Sequence, residues 1–138
     1  MTRILRTFSL LMFCAVAIYS CHSQLLMPIK GGTLTKPSTS TRIHGDNYYI
    51  KPGGDLNVRA VEDCRVLKVF IGQDSNEFVL TQGHFNASYG NLMKIYVKEG
   101  ERITRGQVIG SLFPSGVIFD NSLEIYLQKG DKAVVPNW

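Results

Sequence analysis

The stretch Tyr89-Gly-Asn-Leu-Met-Lys-Ile-Tyr-Val-Lys-Glu-Gly-Glu-Arg-Ile-Thr-Arg-Gly-Gln-Val-Ile-Gly110 decides the fold class of this 138-residue chain. Residues typical of β-strands alternate here with glycines at fixed offsets. Gly100, Gly106 and Gly110 fall where a turn needs a positive φ or where two backbones approach closely. The stretch therefore predicts a β-turn-β unit.

The rest of the chain from Tyr48 onward repeats this pattern of short apolar runs separated by turn residues, with no helical stripe. The predicted strands are Tyr48–Ile50, Leu56–Val61, Arg65–Ile71, Glu77–Thr81, Leu92–Lys98, Gln107–Phe113 and Leu123–Gln128. Strands of this length and spacing indicate an all-β sandwich or barrel. Strict alternation in the third run would place Val66, Lys68 and Phe70 on one face.

The first twenty residues have the composition of an export signal. Arg3 and Arg6 precede an apolar run from Leu10 to Tyr19, which is too short to span a membrane. The sequence Ile18-Tyr-Ser-Cys21 resembles the lipobox of bacterial lipoproteins. We therefore expect residues 1–20 to be a lipoprotein signal peptide, Cys21 to carry lipid, residues 21–26 to form a short tether and residues 27–138 to form one domain. An ordinary secretory signal would give the same export without the anchor.

Charge and cysteine content narrow the possible partners. Removal of residues 1–20 takes away two basic and no acidic residues, so the net charge falls from +4 to +2. No cluster of Arg and Lys with interleaved aromatics indicates nucleic-acid binding. Cys14 leaves with the signal and Cys21 would be lipidated, so Cys64 has no disulfide partner and is interpreted as a small buried hydrophobe.

The opening stretch, read as Y-x-N-L-x-x-x-x-V-K-x-G-x-x-I-x-x-G-Q-x-I-G, resembles the C-terminal half of the lysostaphin-like (LytM-type) zinc endopeptidases that cut peptidoglycan cross-links. The resemblance covers nearly all of the expected mature chain and implies a LytM-like core of short antiparallel strands, a barrel-sandwich hybrid. Met27–Gly32 resembles the opening strand of that family. The following segment, Thr33–Arg42, lacks apolar periodicity and is predicted to be a surface loop.

The family's zinc site is only partly preserved in this sequence. The family supplies two ligands as H-x-x-x-D with a proline four residues after the Asp, and registration on Pro52 places His44 on the His and Tyr48 on the Asp. A phenol with a pKa near 10 is a poor substitute for a carboxylate ligand. Asp46 lies two residues too early and could coordinate only in a reshaped loop.

The remaining family positions are all substituted. The catalytic His of Y-x-H-L is replaced by Asn91, and registration of Leu123-Glu-Ile125 on the family's F-E-I places Asp120 and Ser122 on the two histidines of H-L-H. Zinc hydrolysis needs three protein ligands and groups that move protons. The resemblance therefore implies a degenerate site in which only His44 is retained, and zinc is not expected.

A rebuilt metal site from His44, Asp46 and His84 is a weaker alternative, since His-x-Asp places two ligands on one face of an extended segment. A further alternative fold family is the biotinyl/lipoyl carrier domains, which share the V-K-x-G-x-x-I-x-x-G-Q pattern. Those domains need a lysine at a hairpin tip downstream of this segment, and Ser111–Val117 contains none. Carrier function is therefore disfavoured.

These observations predict a catalytically inactive, membrane-anchored lipoprotein of the bacterial cell envelope that binds peptidoglycan or regulates a cell-wall hydrolase. The alternatives are an active zinc endopeptidase that cleaves peptidoglycan cross-links and a structural accessory subunit of an envelope complex. Only the active endopeptidase requires zinc, which distinguishes it from the inactive lipoprotein and from the accessory subunit.

Overall fold

The computed structural model describes residues 24–35, 47–72, 77–117 and 121–138, and within these ranges all regular structure is β. The strands are β1 (Thr33–Thr35), β2 (Tyr48–Lys51), β3 (Asn57–Arg59), β4 (Cys64–Phe70), β5 (Glu77–Gln82), β6 (Asn86–Ile95), β7 (Arg102–Ile103), β8 (Val108–Leu112), β9 (Leu123–Lys129) and β10 (Lys132–Ala133). No helix in the described ranges is long and apolar enough to cross a membrane.

The strands form one branched antiparallel sheet, which confirms the predicted fold class. Its main path runs β1-β2-β9-β6-β5-β4-β7, with β10 added to β9 and β3 added to β8. The branch point is β6, which pairs with β9 through Asn86–Gly90 and with β8 through Leu92–Ile95. Buried side chains from both branches, including Val58, Tyr89 and Ile125, form one core cluster.

Strand β6 begins six residues earlier than the sequence analysis predicted, at Asn86 and not at Leu92. The first half was missed because Asn, Ser and Gly are depleted in strands. Its alternation is nevertheless clear: Ala87 and Tyr89 are buried in the core while Ser88 and Gly90 lie on the opposite face. This half of β6 forms the floor of the groove described below.

Strand β4 does not follow the predicted alternation, because a β-bulge between Val66 and Lys68 shifts its register against β5. Val66 pairs with Thr81 and Val69 with Val79, so these two valines share the core face. The prediction that Val66 shares a face with Lys68 and Phe70 was therefore wrong. Leu67, the extra residue of the bulge, is 47% exposed.

The first described segment also differs from expectation. Met27–Gly32 is not a strand: its second half forms a turn closed by a hydrogen bond from the Gly32 N–H to the Ile29 carbonyl at 3.0 Å. The predicted surface loop begins instead with β1, whose Thr33–Thr35 pairs with β2. An edge strand of three residues has only one neighbour and a single partly buried side chain, Leu34, so its sequence carries almost no apolar pattern.

The β-turn-β interpretation of residues 89–110 is confirmed. Gly100 and Gly106 have φ of 82° and 84°, the left-handed region that favours glycine. Gly110 is required for a different reason: a Cβ there would lie 2.5 Å from the Lys94 carbonyl oxygen of the paired strand. The three glycines thus serve the two purposes expected of them.

Two partly polar side chains complete the core beside this unit. Tyr89 is fully buried, and its hydroxyl accepts a hydrogen bond from the Val61 N–H at 3.0 Å. Burial raises the pKa of Tyr89 above its usual range. Cys64 is half-buried against the core, and desolvation raises the pKa of its thiol, which agrees with its interpretation as a small hydrophobe.

Candidate functional site

A groove runs over the face of the sheet opposite the core, across β4, β5, β6 and β9. It consists of two adjoining depressions of about 240 and 690 Å³ that share Asn47, Phe78, Ser88 and Tyr126. The alternation of β6 and β9 creates it, because the small outward residues Ser88 and Gly90 leave space above the strand. The larger side chains of β5 and β9 form its sides.

The groove is acidic and aromatic at one end. Glu77 and Glu124 line the smaller depression together with Phe78 and Tyr126. The Asn47 side-chain amide donates a hydrogen bond to Oε1 of Glu124, which holds that carboxylate in place. Behind Phe78 the ring of Phe70 stacks on it with centroids 4.1 Å apart, so the aromatic side of the groove is supported from β4.

Asn91 lies beside this acidic end, in a β-bulge where two residues of β6, Gly90 and Asn91, oppose Phe78 of β5. Its φ is 64°, a left-handed conformation that Asn adopts more readily than most residues. Its Nδ2 donates a hydrogen bond of 2.7 Å to the Ser122 carbonyl oxygen. The structure therefore brings together Asn91 and Ser122, two positions of the degenerate site.

Tyr48, the position registered on the family's Asp ligand, does not face the groove. It pairs with Ile125, a buried residue, and its ring packs against the core. Its neighbour Asn47 lines the groove instead and reaches Glu124. Tyr48 thus lies on β2 one residue from the groove-lining Asn47, and its role in the site stays a prediction.

His84 lies far from the acidic end of the groove. It is exposed in the turn between β5 and β6, with its ring edge-on to Phe85 at 4.9 Å between centroids. The five residue steps from Asn86 to Asn91 span about 16 Å of extended strand, so His84, which precedes β6, is well separated from Asn91. His44 and Asp46, the partners of His84 in the rebuilt metal site, lie outside the described ranges, so that alternative stays a prediction.

Zinc does not fit the donors that the structure describes. The positions registered on family ligands or catalytic groups present an amide at Asn91, a hydroxyl at Ser122 and a phenol at Tyr48, none of which is an imidazole or carboxylate. No group of three His, Cys, Asp or Glu that could hold a metal occurs in the described ranges. His44, Asp46, Asp120 and the expected lipidation site Cys21 lie outside those ranges, so their roles stay predictions.

Several groove residues were missed by the sequence analysis, chiefly Asn47, Phe78, Ser88, Glu124 and Tyr126. The signal for two of them was present in β9, where buried Leu123, Ile125 and Leu127 alternate with outward Glu124 and Tyr126. Neither Glu124 nor Tyr126 is among the family's ligand or catalytic positions considered in the sequence. Asn47 directly precedes β2, so no alternating pattern of apolar residues predicts which way its side chain points.

Comparison with known proteins places this geometry in a family. The model of peptidase family M23 matches residues 44–136. No curated protein matches the chain. Among solved structures, a peptidase M23 protein from Pseudomonas aeruginosa superimposes with a TM-score of 0.64 at 20% identity, covering 83% of this chain and 48% of its own. A zinc-containing peptidase from Vibrio cholerae gives a TM-score of 0.59 at 18% identity, covering 78% of this chain and 37% of its own.

The chain thus spans less than half the length of those two proteins. A chain from the SpoIIQ–SpoIIIAH pore-forming complex is closer in size, with a TM-score of 0.60, 16% identity and coverage of 80% of this chain and 87% of its own. At these identities the solved structures establish the fold alone. The family model covers well over half of the sequence, and on that ground the chain belongs to peptidase family M23.

Proposed function

We propose that this chain is a non-hydrolytic M23 protein of the bacterial cell envelope that binds peptidoglycan, or a cell-wall hydrolase, in the groove between Glu77 and Tyr126. The observation that carries the proposal is the hydrogen bond from Asn91 to the Ser122 carbonyl. At the position where the family has a catalytic imidazole, this chain has an amide whose N–H group is already used to hold the backbone.

An amide at this position cannot do the work of the imidazole. General acid–base catalysis requires a group whose pKa lies near the operating pH, and the side-chain amide of Asn neither gains nor loses a proton in that range. Ser122, registered on the family's metal-binding His, is 6% exposed and likewise offers no imidazole. Asn91 therefore lacks the proton-transfer function of the family's catalytic His, and Ser122 lacks the ligand function of its metal-binding His.

The groove itself is retained as a binding surface. Two carboxylates, Glu77 and Glu124, face a ligand together with the rings of Phe78 and Tyr126. This combination favours an extended peptide that carries a positively charged amine beside an apolar side chain, since a carboxylate and an aromatic face both attract ammonium groups. Peptides of the cell wall and segments of a partner protein both satisfy this chemistry.

The accessory-subunit alternative keeps some support from shape. The chain from the SpoIIQ–SpoIIIAH complex matches 80% of this chain and 87% of its own length. A segment of a partner protein is therefore the second candidate for the ligand of the groove, after a cell-wall peptide.

The experiment combines three measurements on the purified processed protein: zinc content, digestion of cross-linked muropeptides and co-sedimentation with insoluble peptidoglycan. We expect less than stoichiometric zinc, intact muropeptides and sedimentation with the wall. Tyr126→Ala should weaken sedimentation by about tenfold, as expected for loss of one aromatic contact at a binding site. Tyr96→Ala, at a tyrosine that is 55% exposed and does not line the groove, is the matched control.

Two results would contradict the proposal. Stoichiometric zinc together with muropeptide cleavage, both lost in His44→Ala, would make the chain an active endopeptidase. Equal sedimentation of Tyr126→Ala and wild type would remove the groove as the binding site. If the protein does not sediment with peptidoglycan but retains a cell-wall hydrolase in a pulldown, the ligand of the groove is the partner protein.

A further inference from the structure

A second cavity, of about 450 Å³, lies at the far edge of the sheet from Asn91. It is formed where β7 pairs with the start of β4 and where the turn after β5 closes over them. Arg65 and Arg102 contribute its two basic side chains, with Gln82 and Thr104 beside them. Nothing in the peptidase resemblance assigns a role to this edge.

The two arginines are direct cross-strand neighbours, since Arg65 and Arg102 are register partners in the β4–β7 pair. Side chains in such a pair point to the same face with Cβ atoms about 5 Å apart, and like charges placed there repel. Both are exposed, and in the described part of the chain the ion pair found is Arg59–Asp55, which involves neither of them. Two guanidinium groups are therefore carried side by side at one edge of the sheet.

One acidic side chain, Asp63, lines the cavity beside this pair, and its Oδ1 accepts a hydrogen bond from the backbone N–H of Arg105 at 2.7 Å. That contact fixes the Arg105 backbone and brings a third basic side chain to the same edge. We call Arg65, Arg102 and Arg105 the cationic face; together with Asp63 it keeps an excess of positive charge.

The N-terminal end of the described chain reaches the cationic face. Nε of Arg105 donates a hydrogen bond to the Gln24 carbonyl oxygen at 3.2 Å, and the Leu26 N–H bonds to the Val61 carbonyl at 2.8 Å. Gln24 follows Cys21 by three residues, and a chain of that length reaches at most about 11 Å. Any lipid on Cys21 would therefore start close to these arginines.

We infer that the cationic face binds the phosphate groups of anionic lipid headgroups and sets the orientation of the domain on its membrane. This inference rests on the lipid anchor predicted at Cys21 and on the proposed location of the chain in the cell envelope. A guanidinium fork matches the oxygens of a phosphate group in a two-point contact, and two forks in register can hold one phosphate or two neighbouring ones. The acidic depression of the groove lies toward the opposite ends of β5 and β6, so docking at this edge leaves that depression open to the wall.

The test uses the processed protein, purified from membranes and reconstituted on vesicles of phosphatidylcholine alone or mixed with phosphatidylglycerol. The measurement is hydrogen–deuterium exchange of peptides that cover Cys64–Arg65 and Arg102–Arg105. On the anionic vesicles we expect these amides to exchange more slowly by about fivefold or more, the effect of one basic side chain at an anionic surface. High salt should remove the difference, because it screens exposed charges.

The variant Arg65→Gln with Arg102→Gln should lose this lipid-dependent protection. Lys51→Gln with Lys94→Gln removes the same charge from exposed positions that do not line the cavity and should keep it. Thermal melting of both double variants checks that each is folded; relief of the Arg–Arg repulsion should leave the first at least as stable as wild type.

Three outcomes would overturn the inference: equal exchange on both vesicles, protection that survives the arginine substitutions, or equal protection by inorganic phosphate on neutral vesicles. The last would indicate a site for free anions and not a membrane surface. If the processed protein does not remain on vesicles of either composition, the anchor fails and the inference with it. Sedimentation with peptidoglycan is measured separately, so that failure leaves the groove proposal intact.

Discussion

Asn91 connects two strands at the acidic end of the groove. It has the one left-handed non-glycine backbone in the described ranges, and its side chain ties β6 to the start of β9 through the Ser122 carbonyl. The bulge that holds it also places Gly90 at the floor of the groove. Asn91 is therefore expected to stabilise the site's shape, which the proposed binding function needs.

We expect Asn91→Ala to lower the free energy of unfolding by about 2 kcal/mol, because alanine loses the hydrogen bond and is disfavoured at positive φ. Asn91→Gly keeps the permitted backbone and should lose less. Urea denaturation of the two variants and wild type measures the difference. If the alanine variant has the same free energy of unfolding as the glycine variant, the positive φ at position 91 does not destabilise a residue that carries a Cβ.

Tyr89 makes the core sensitive to alkaline pH. Its folded-state pKa is raised by burial, while the phenol in the unfolded chain ionises near pH 10. The stability contributed by the neutral phenol is therefore fully present below about pH 10 and falls as the pH rises above that value, since only the unfolded chain loses its proton there.

Tyr89→Phe should lower the free energy of unfolding at neutral pH by about 1 to 2 kcal/mol, because the buried Val61 N–H loses its acceptor. The variant should also be less sensitive to pH above 10, so the gap to wild type should narrow there. Urea titrations at neutral and alkaline pH test both effects, with Tyr96→Phe at an exposed position as control. A gap that widens with pH would contradict the assigned pKa direction.

At the scale of the strands, sequence patterns predicted the elements with apolar alternation and missed those whose outward face is polar or whose register is interrupted. The β-turn-β unit and β9 were predicted because their buried residues are β-branched or leucine. The first half of β6 was not predicted, because the floor of the groove consists of small residues. The bulge in β4 was not predicted either, because it breaks the two-residue period of the strand. The sequence predicts Asn91 and Ser122 as site positions, whereas the acidic side chains Glu77 and Glu124 are brought together by the pairing of β5 and β9 with β6.

The close packing of β6 against β8 gives a sharp test at this scale. Gly110→Ala should lower the free energy of unfolding by about 2 kcal/mol, because its Cβ would meet the Lys94 carbonyl at 2.5 Å and one strand must move. Gly54→Ala is the matched control: its Cβ would meet no atom within 4 Å, so its effect should be near zero or slightly stabilising. Equal melting temperatures for the two variants would contradict the register of β6 and β8.

For the whole molecule, the lipid anchor proposed at Cys21 determines where the protein is found. Several acyl chains on Cys21 would hold the protein firmly, since each buried CH₂ contributes about 0.8 kcal/mol. We expect wild type to fractionate with membranes and Cys21→Ala to be released or to retain its signal peptide, as seen by immunoblot of the fractions. Wild type found wholly in the soluble fraction would refute the lipoprotein proposal without affecting the M23 fold.

The position of β9 has a consequence for the order in which the chain can fold. This strand, near the C-terminus, lies between β2 and β6 and pairs Tyr48 with Ile125 across most of the domain. A chain that emerges from an export channel with its N-terminus first cannot join β1 and β2 to the rest of the sheet until residues 123–129 have emerged. Such distant pairings close late because the loop entropy must be overcome before the contacts form. Strands β1 and β2 would therefore stay separate from the rest of the sheet until β9 has emerged.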